Sequence, residues 1–178
     1  RYQAPLGENN NGGIQFVHDG GEAAPAFSLT LSDGAQSVGP SVAVISFSNV
    51  NDAPVSGTSS AIANEDVSPI TVVLGGTDVD GTITQVRVTT LPSNGVLYLD
   101  AARTIPIVIG TDYAATGGQL SVYFAPTRDW NGVTAFNFAA IDNSGAIDAT
   151  PATATITVNA VNDAPVATMS NVAIEFTK

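Results

Sequence analysis

The chain has 178 residues, 44% of them hydrophobic, and 16 acidic against 5 basic side chains leave a net charge of −11. That length allows one or two domains and the apolar content is enough to bury a core, which excludes wholesale disorder. The charge excludes nucleic acid and membrane as partners, since anionic surfaces need clustered Lys and Arg, and the lack of cysteine excludes disulfides and thiolate metal sites.

In chain order, the opening RYQAP at 1–5 is followed by a polar insert at 7–23 that contains the lone histidine, His18. FSLTLSDGA (27–35) and SVAVISFSN (41–49) then read as strands through their β-branched and alternating residues. NVNDAPV (49–55) ends that run, and AIANED (61–66) carries a short first strand of the next. Further strands are predicted at PITVVL (69–74), TITQVRVTT (82–90), GVLYL (95–99), LSVYFA (120–125), TAFNFAAI (134–141) and ATATITVNAV (152–161). Turn signals separate them: GGTDVDG, PSNG, TGG, DWNG and DNSG. No window has a helical period with caps. Strands at this spacing predict a seven-strand Ig-like sandwich, and hence an all-β fold of tandem Ig-like Greek-key sandwiches.

The hexapeptide VNDAPV stands at 50–55 and again at 161–166. Aligning the two copies also matches RYQAP with VYFAP, FSLTLSDGA with FNFAAIDNS, and SVAVISFSN with ATATITVNA. This places the C-terminal half of one repeat at 1–51, a complete repeat at 52–162, and the first strand of a third at 163–178. Asp78 and Asp80, two apart in TDVDG with a glycine to turn the chain, suit a hard cation. Such an ion needs several converging oxygens, and at an oxygen-only site calcium is the expected one.

IANEDVSPITVVLGGTDVDGTIT resembles the opening of a cadherin repeat, and AIDNSGAIDATPATATITVNAVNDAP resembles its close. YFAPTRDWNGVTAFNFAAID resembles the cadherin-like tandem repeats of giant RTX-type bacterial surface adhesins. FVHDGGEAAPAFSLTLSDG resembles the chondroitin-sulfate-proteoglycan type of such repeats. The resemblance implies calcium held at one junction by Asn51, Asp52, Asp78, Asp80 and Asp142. It implies Glu65, or Asp66 beside it, with Asn162 and Asp163 at the next. Asp100 stands roughly where the family has an Asp-Arg-Glu motif that is absent here, and Asp33 is the Asp142 counterpart in the first repeat. Pro54 and Pro165 are expected to stiffen the linkers.

The function implied is a calcium-stabilised extender of a secreted or cell-surface adhesin, with calcium and neighbouring repeats as partners and no catalytic role. Two alternatives stand beside it: a glycan- or self-binding adhesion module, and an accessory domain of a polysaccharide-degrading enzyme. An exposed patch around Trp130, Tyr113 and Tyr98 would favour the first, although an aromatic such as Trp130 more often packs a sandwich rim. Residues 172–176 raise a further option, strand exchange between copies. His18 lacks the nucleophile and orienting partner of a catalytic set.

Overall fold

The computed structural model describes residues 22–24 and 26–165, and among these every regular element is a strand. The chain divides into two compact units. One holds the residues up to Asp52 together with Val79–Gly81, and the other holds Ala53–Asp78 and the chain from Thr82 onward.

In the first unit β1 (Ser28–Ser32) and β2 (Ser37–Val42) form an antiparallel hairpin. Its turn is built by Asp33, whose Oδ1 accepts the amides of Ala35 (2.9 Å) and Gln36 (2.7 Å). The strand expected at 41–49 is not formed beyond Val42. Ala43, Ile45 and Phe47 are half-buried and alternate with exposed Val44 and Ser46, so the period of two persists although no regular strand forms beyond Val42.

Among the described residues the second unit is a nine-stranded, sandwich-like assembly. It comprises β3 (Val55–Ser56), β4 (Ser59–Asn64), β5 (Ile70–Thr77), β6 (Ile83–Val88), β7 (Gly95–Tyr98), β8 (Asp112–Ala114), β9 (Gln119–Pro126), β10 (Gly132–Asp142) and β11 (Ala152–Asn159). One sheet runs β4-β11-β10-β6-β8 and the other β3-β5-β9-β7. Every neighbouring pair is antiparallel except β4 and β11, which are parallel over six residue pairs from Ser59↔Ala154 to Asn64↔Asn159.

Period-two alternation decides which side chains meet. From the four-stranded sheet, Val72, Leu74, Leu97, Val122 and Phe124 are buried; from the five-stranded sheet, Val86, Val88, Phe136, Phe138, Ile156 and Val158 are. Burying side chains of this size stabilises by roughly 1.5–3 kcal/mol each, before chain entropy is subtracted. Trp130, Tyr113 and Leu99 pack partly buried against this core.

Two strands were not foreseen. β3 is only two residues long, and β8 is held on β6 by Arg87, whose Nη2 donates to Asp112 Oδ2 at 2.8 Å. Gly95 opens β7 where that strand meets β9. A Cβ there would lie 2.4 Å from the Ala125 carbonyl oxygen and 2.5 Å from the Phe124 ring, neither of which can retreat. Gly95→Ala is therefore expected to destabilise the protein by about 1–3 kcal/mol, read as a lower urea midpoint with an unchanged slope.

Candidate functional site

The acidic side chains singled out from sequence fall into three settings. At the first linker Asn51 Nδ2 donates to the Asp52 carbonyl (3.0 Å), and at the second Asn162 Nδ2 donates to the Asp163 carbonyl (3.2 Å). The repeated Asn-Asp pair thus makes the same local hydrogen bond twice. Asp52 also donates its amide to the Asp80 carboxylate (3.2 Å to Oδ2), which accepts Asn49 Nδ2 at 3.3 Å. Asp52 and Asp80 are brought together; Asp78 belongs to the other unit.

The second setting is a set of loops, each closed by one carboxylate. Asp100 accepts the amides of Thr104 (2.9 Å) and Ile105 (2.8 Å) and the Thr104 hydroxyl (2.8 Å). Desolvation alone would push its acid up, but these bonds outweigh it and hold the pKa below the ordinary carboxylate value. Asp33 is likewise held low, by the amides of Gln36 and Ala35. Asp142 is 1% exposed at the end of β10, where its Oδ1 accepts the amides of Ser144 and Ala146, both at 2.8 Å. Asp66 is exposed in the turn that the Val67 amide closes on the Asn64 carbonyl at 3.0 Å.

The third setting concerns the ends of the second unit. Glu65 is buried just beyond β4, and its Oε1 accepts the Val161 amide at 2.6 Å while Oε2 accepts Asn131 Nδ2 at 3.3 Å. Its own amide donates to the Asn159 carbonyl at 3.0 Å, which carries the β4–β11 pairing one step further. Glu65 therefore fastens the segment by which the chain leaves the sandwich.

Asp148, which sequence reasoning missed, has the corresponding role where the chain enters. It is 6% exposed, and its Oδ2 accepts the Ser56 amide of β3 at 2.7 Å. Its Oδ1 accepts both the amide and the hydroxyl of Thr150 at 2.7 Å. The Ser56 Oγ in turn accepts the Ala140 amide of β10 at 2.8 Å. The signal in the sequence was small: an aspartate two residues before a threonine, the pattern of a side-chain-closed turn.

Pro54 stands two residues after Asp52. It is fully buried at the head of β3, whereas Pro165 is exposed, so the two copies of the motif are not packed alike. Tyr98 is half-buried on β7, and the Tyr113 hydroxyl accepts the Val108 amide at 2.8 Å. His18 and residues 166–178, with the proposed third-repeat strand and strand exchange, lie outside the described residues.

Among the described residues no group of three or more His, Asp or Glu side chains is placed to hold a metal ion. A groove of about 390 Å³ lies along Val55–Thr58, Val73–Thr77 and Gly117–Gln119, and no carboxylate lines it.

No family model matches the sequence, and no curated protein does. Among solved structures the chain is similar to a conjugative transposon lipoprotein of Bacteroides eggerthii, at 14% identity and a TM-score of 0.37, covering 57% of this chain and 95% of that one. It is also similar to a conjugate transposon protein of Bacteroides vulgatus, at 13% identity and a TM-score of 0.39, covering 64% and 90%. These findings correct the expected family: these two solved structures are conjugative transposon proteins, and no family model supports a cadherin-like, proteoglycan-type or RTX-type adhesin repeat. The calcium-stabilised adhesin extender and its two alternatives rested on that resemblance and fall with it. The calcium-binding assignment finds no support in the acidic groups either: Glu65, Asp100 and Asp142 are each engaged by amides of their own surroundings.

The Asp148 bonds have a consequence for acid stability. Burial would raise its pKa, but the bonds from Ser56 and Thr150 outweigh that and lower it from 3.8 to about 2. A carboxylate depressed on folding stabilises fully above its unfolded pKa and loses that contribution as pH falls through the folded one. Between pH 3.8 and about 2 the protein is therefore expected to lose stability with acid. Asp148→Asn should flatten that slope and cost about 1–3 kcal/mol at neutral pH, as read from urea unfolding at several pH values.

Proposed function

We propose that this chain is a non-catalytic structural domain whose buried carboxylates secure the entry and exit of its own backbone. The observation that carries this reading is the pair formed by Asp148 on Ser56 and Glu65 on Val161. Each binds a neighbour that lies more than ninety positions away in sequence, 92 for Asp148 and 96 for Glu65. A catalytic acid is more useful at a cleft with its lone pairs directed at substrate. These two direct theirs at main-chain amides, where a charge-assisted hydrogen bond is stronger than a neutral one.

The sandwich itself supports the reading at a finer level. The first strand is divided between the two sheets, β3 pairing with β5 and β4 with β11, and this division supports an Ig-like Greek-key reading of the domain. A single such domain is a scaffold. The extracellular or cell-surface setting expected from the sequence is kept as part of this proposal: a cysteine-free chain held by internal carboxylate–amide bonds is compatible with it without disulfides.

The test is amide hydrogen exchange on the intact chain and on Glu65→Ala and Asp148→Ala. Glu65→Ala should speed exchange at Val161, and Asp148→Ala at Ser56, each with a loss of about 1–3 kcal/mol in global stability. If both amides keep their protection, the carboxylates do not fasten the ends and the structural reading fails.

A further inference from the structure

The way the second unit binds its first and last long strands has a mechanical consequence. β4 and β11 lie parallel over Ser59–Asn64 and Ala154–Asn159. The chain enters β4 at the Ser59 end, beside Ala154, and leaves β11 at the Asn159 end, beside Asn64. Tension applied to the two ends of the unit thus draws the two strands past each other along their own axes. Every hydrogen bond of the ladder is then loaded together, and none can open before the others. An antiparallel pair pulled from adjacent ends opens one bond at a time instead. β10 and β11 form such a pair, with Gly132 opposite Val158 at their open end.

Two further features add to the resistance. The Glu65 amide donates to the Asn159 carbonyl, and the Glu65 carboxylate then accepts the Val161 amide. The ladder is extended past the end of β4 at the point where the pull on the exit segment arrives. On the entry side, load reaches β3 first, where the Ser56 amide is held by Asp148 and β3 pairs with β5 at Val55↔Thr77 and Ser56↔Gly76. Below the ladder, Ile156 and Val158 anchor β11 in the core, with Ala61 and Ala63 of β4 packed partly buried against it.

We propose that this unit bears tension between its ends, and that its resistance is directional: high when β4 is sheared against β11, low when β10 and β11 are unzipped. The inference rests on the structural reading above but is tested separately, because that reading concerns equilibrium protection and this one concerns the direction of force.

The chain has no cysteine, so pairs of introduced cysteines are unique attachment points for single-molecule pulling. In the full-length chain, Ala53→Cys with Asp163→Cys loads the ladder in shear. Arg128→Cys with Asp163→Cys loads the β10–β11 pair at its open end, and the Arg128 side chain is 92% exposed, so its replacement leaves the fold intact. The expected result is a severalfold higher unfolding force for the first pair. Equal forces, or the reverse order, would overturn the proposal.

Proline substitutions add a control within the shear geometry. The Glu65 amide faces β11, so by the period of two the Ala63 amide faces it too, and the Ile62 amide faces the outer edge. Ala63→Pro should lower the shear force, whereas Ile62→Pro, at a side chain 71% exposed, should leave it close to that of the parent. An equal fall in both variants would assign the resistance to strand stiffness rather than to the ladder, and would also overturn the proposal. Because the two attachment geometries are compared in the unsubstituted ladder, a failure of Ala63→Pro to fold leaves the main test in place.

Discussion

The entering chain must belong to both sheets within ten residues, and most of the second unit is arranged around that demand. β3 pairs with β5, the chain crosses at Gly57 and Thr58, and β4 then pairs with β11 in the opposite sheet. A crossing strand exposes backbone groups that neither ladder satisfies, and buried ones are costly to leave unpaired. Asp148 takes up the Ser56 amide, Ser56 Oγ takes up the Ala140 amide, and the Ser59 hydroxyl donates to the Val73 carbonyl at 2.7 Å. Gly76 makes the close approach sterically possible, since a Cβ there would lie 2.4 Å from the Val55 carbonyl oxygen. Removing any of these does more than delete a contact; it loosens the sole point at which the two sheets share a strand at the entry side.

The long strands were legible because their apolar residues alternate without interruption. Val72 and Leu74, Val122 and Phe124, Phe136 and Phe138, and Ile156 and Val158 all turn inward as that period requires. β3 and β8 were not legible, for a physical reason. At two and three residues they have no periodicity to read, and they exist through what they pair with: Thr77 and Gly76 for β3, Arg87 and its neighbours for β8. The strand expected across 41–49 shows the converse: its alternation persists as half-buried Ala43, Ile45 and Phe47, yet no regular strand forms beyond Val42. Alternation proposes a strand, and tertiary context decides whether it forms.

The acidic residues show a similar division. Sequence reasoning found the positions of Asp33, Asp100, Asp142 and Glu65 because they stand at turns and strand ends. It assigned them one shared role, as ligands to an ion, where the structure shows several separate ones. Nothing in a linear pattern distinguishes a carboxylate that awaits a cation from one already satisfied by amides two to five residues away, as at Asp100 and Asp142. Nor does it reveal a partner more than ninety positions away along the chain, 96 for Glu65 and 92 for Asp148. The acidic side chains are consequently not all displayed to solvent: Glu65, Asp142 and Asp148 lie inside and are met by main-chain amides.

The pairing of β4 with β11 also bears on how the domain comes into being. Its partners are separated by nearly the whole sandwich, as the 96-residue span from Glu65 to Val161 shows, and contacts this remote are the last that loop-closure entropy permits. A chain emerging from a ribosome can assemble β5, β6, β7 and β9 early, but β4 has no neighbour in its own sheet until β11 has been made. Until then it presents an uncharged strand, SSAIAN, with both edges open, which is a template for pairing with the wrong chain. The element that closes the domain is therefore also the one whose delay exposes it to misassembly. Synthesis of the last strand is the moment at which that exposure ends.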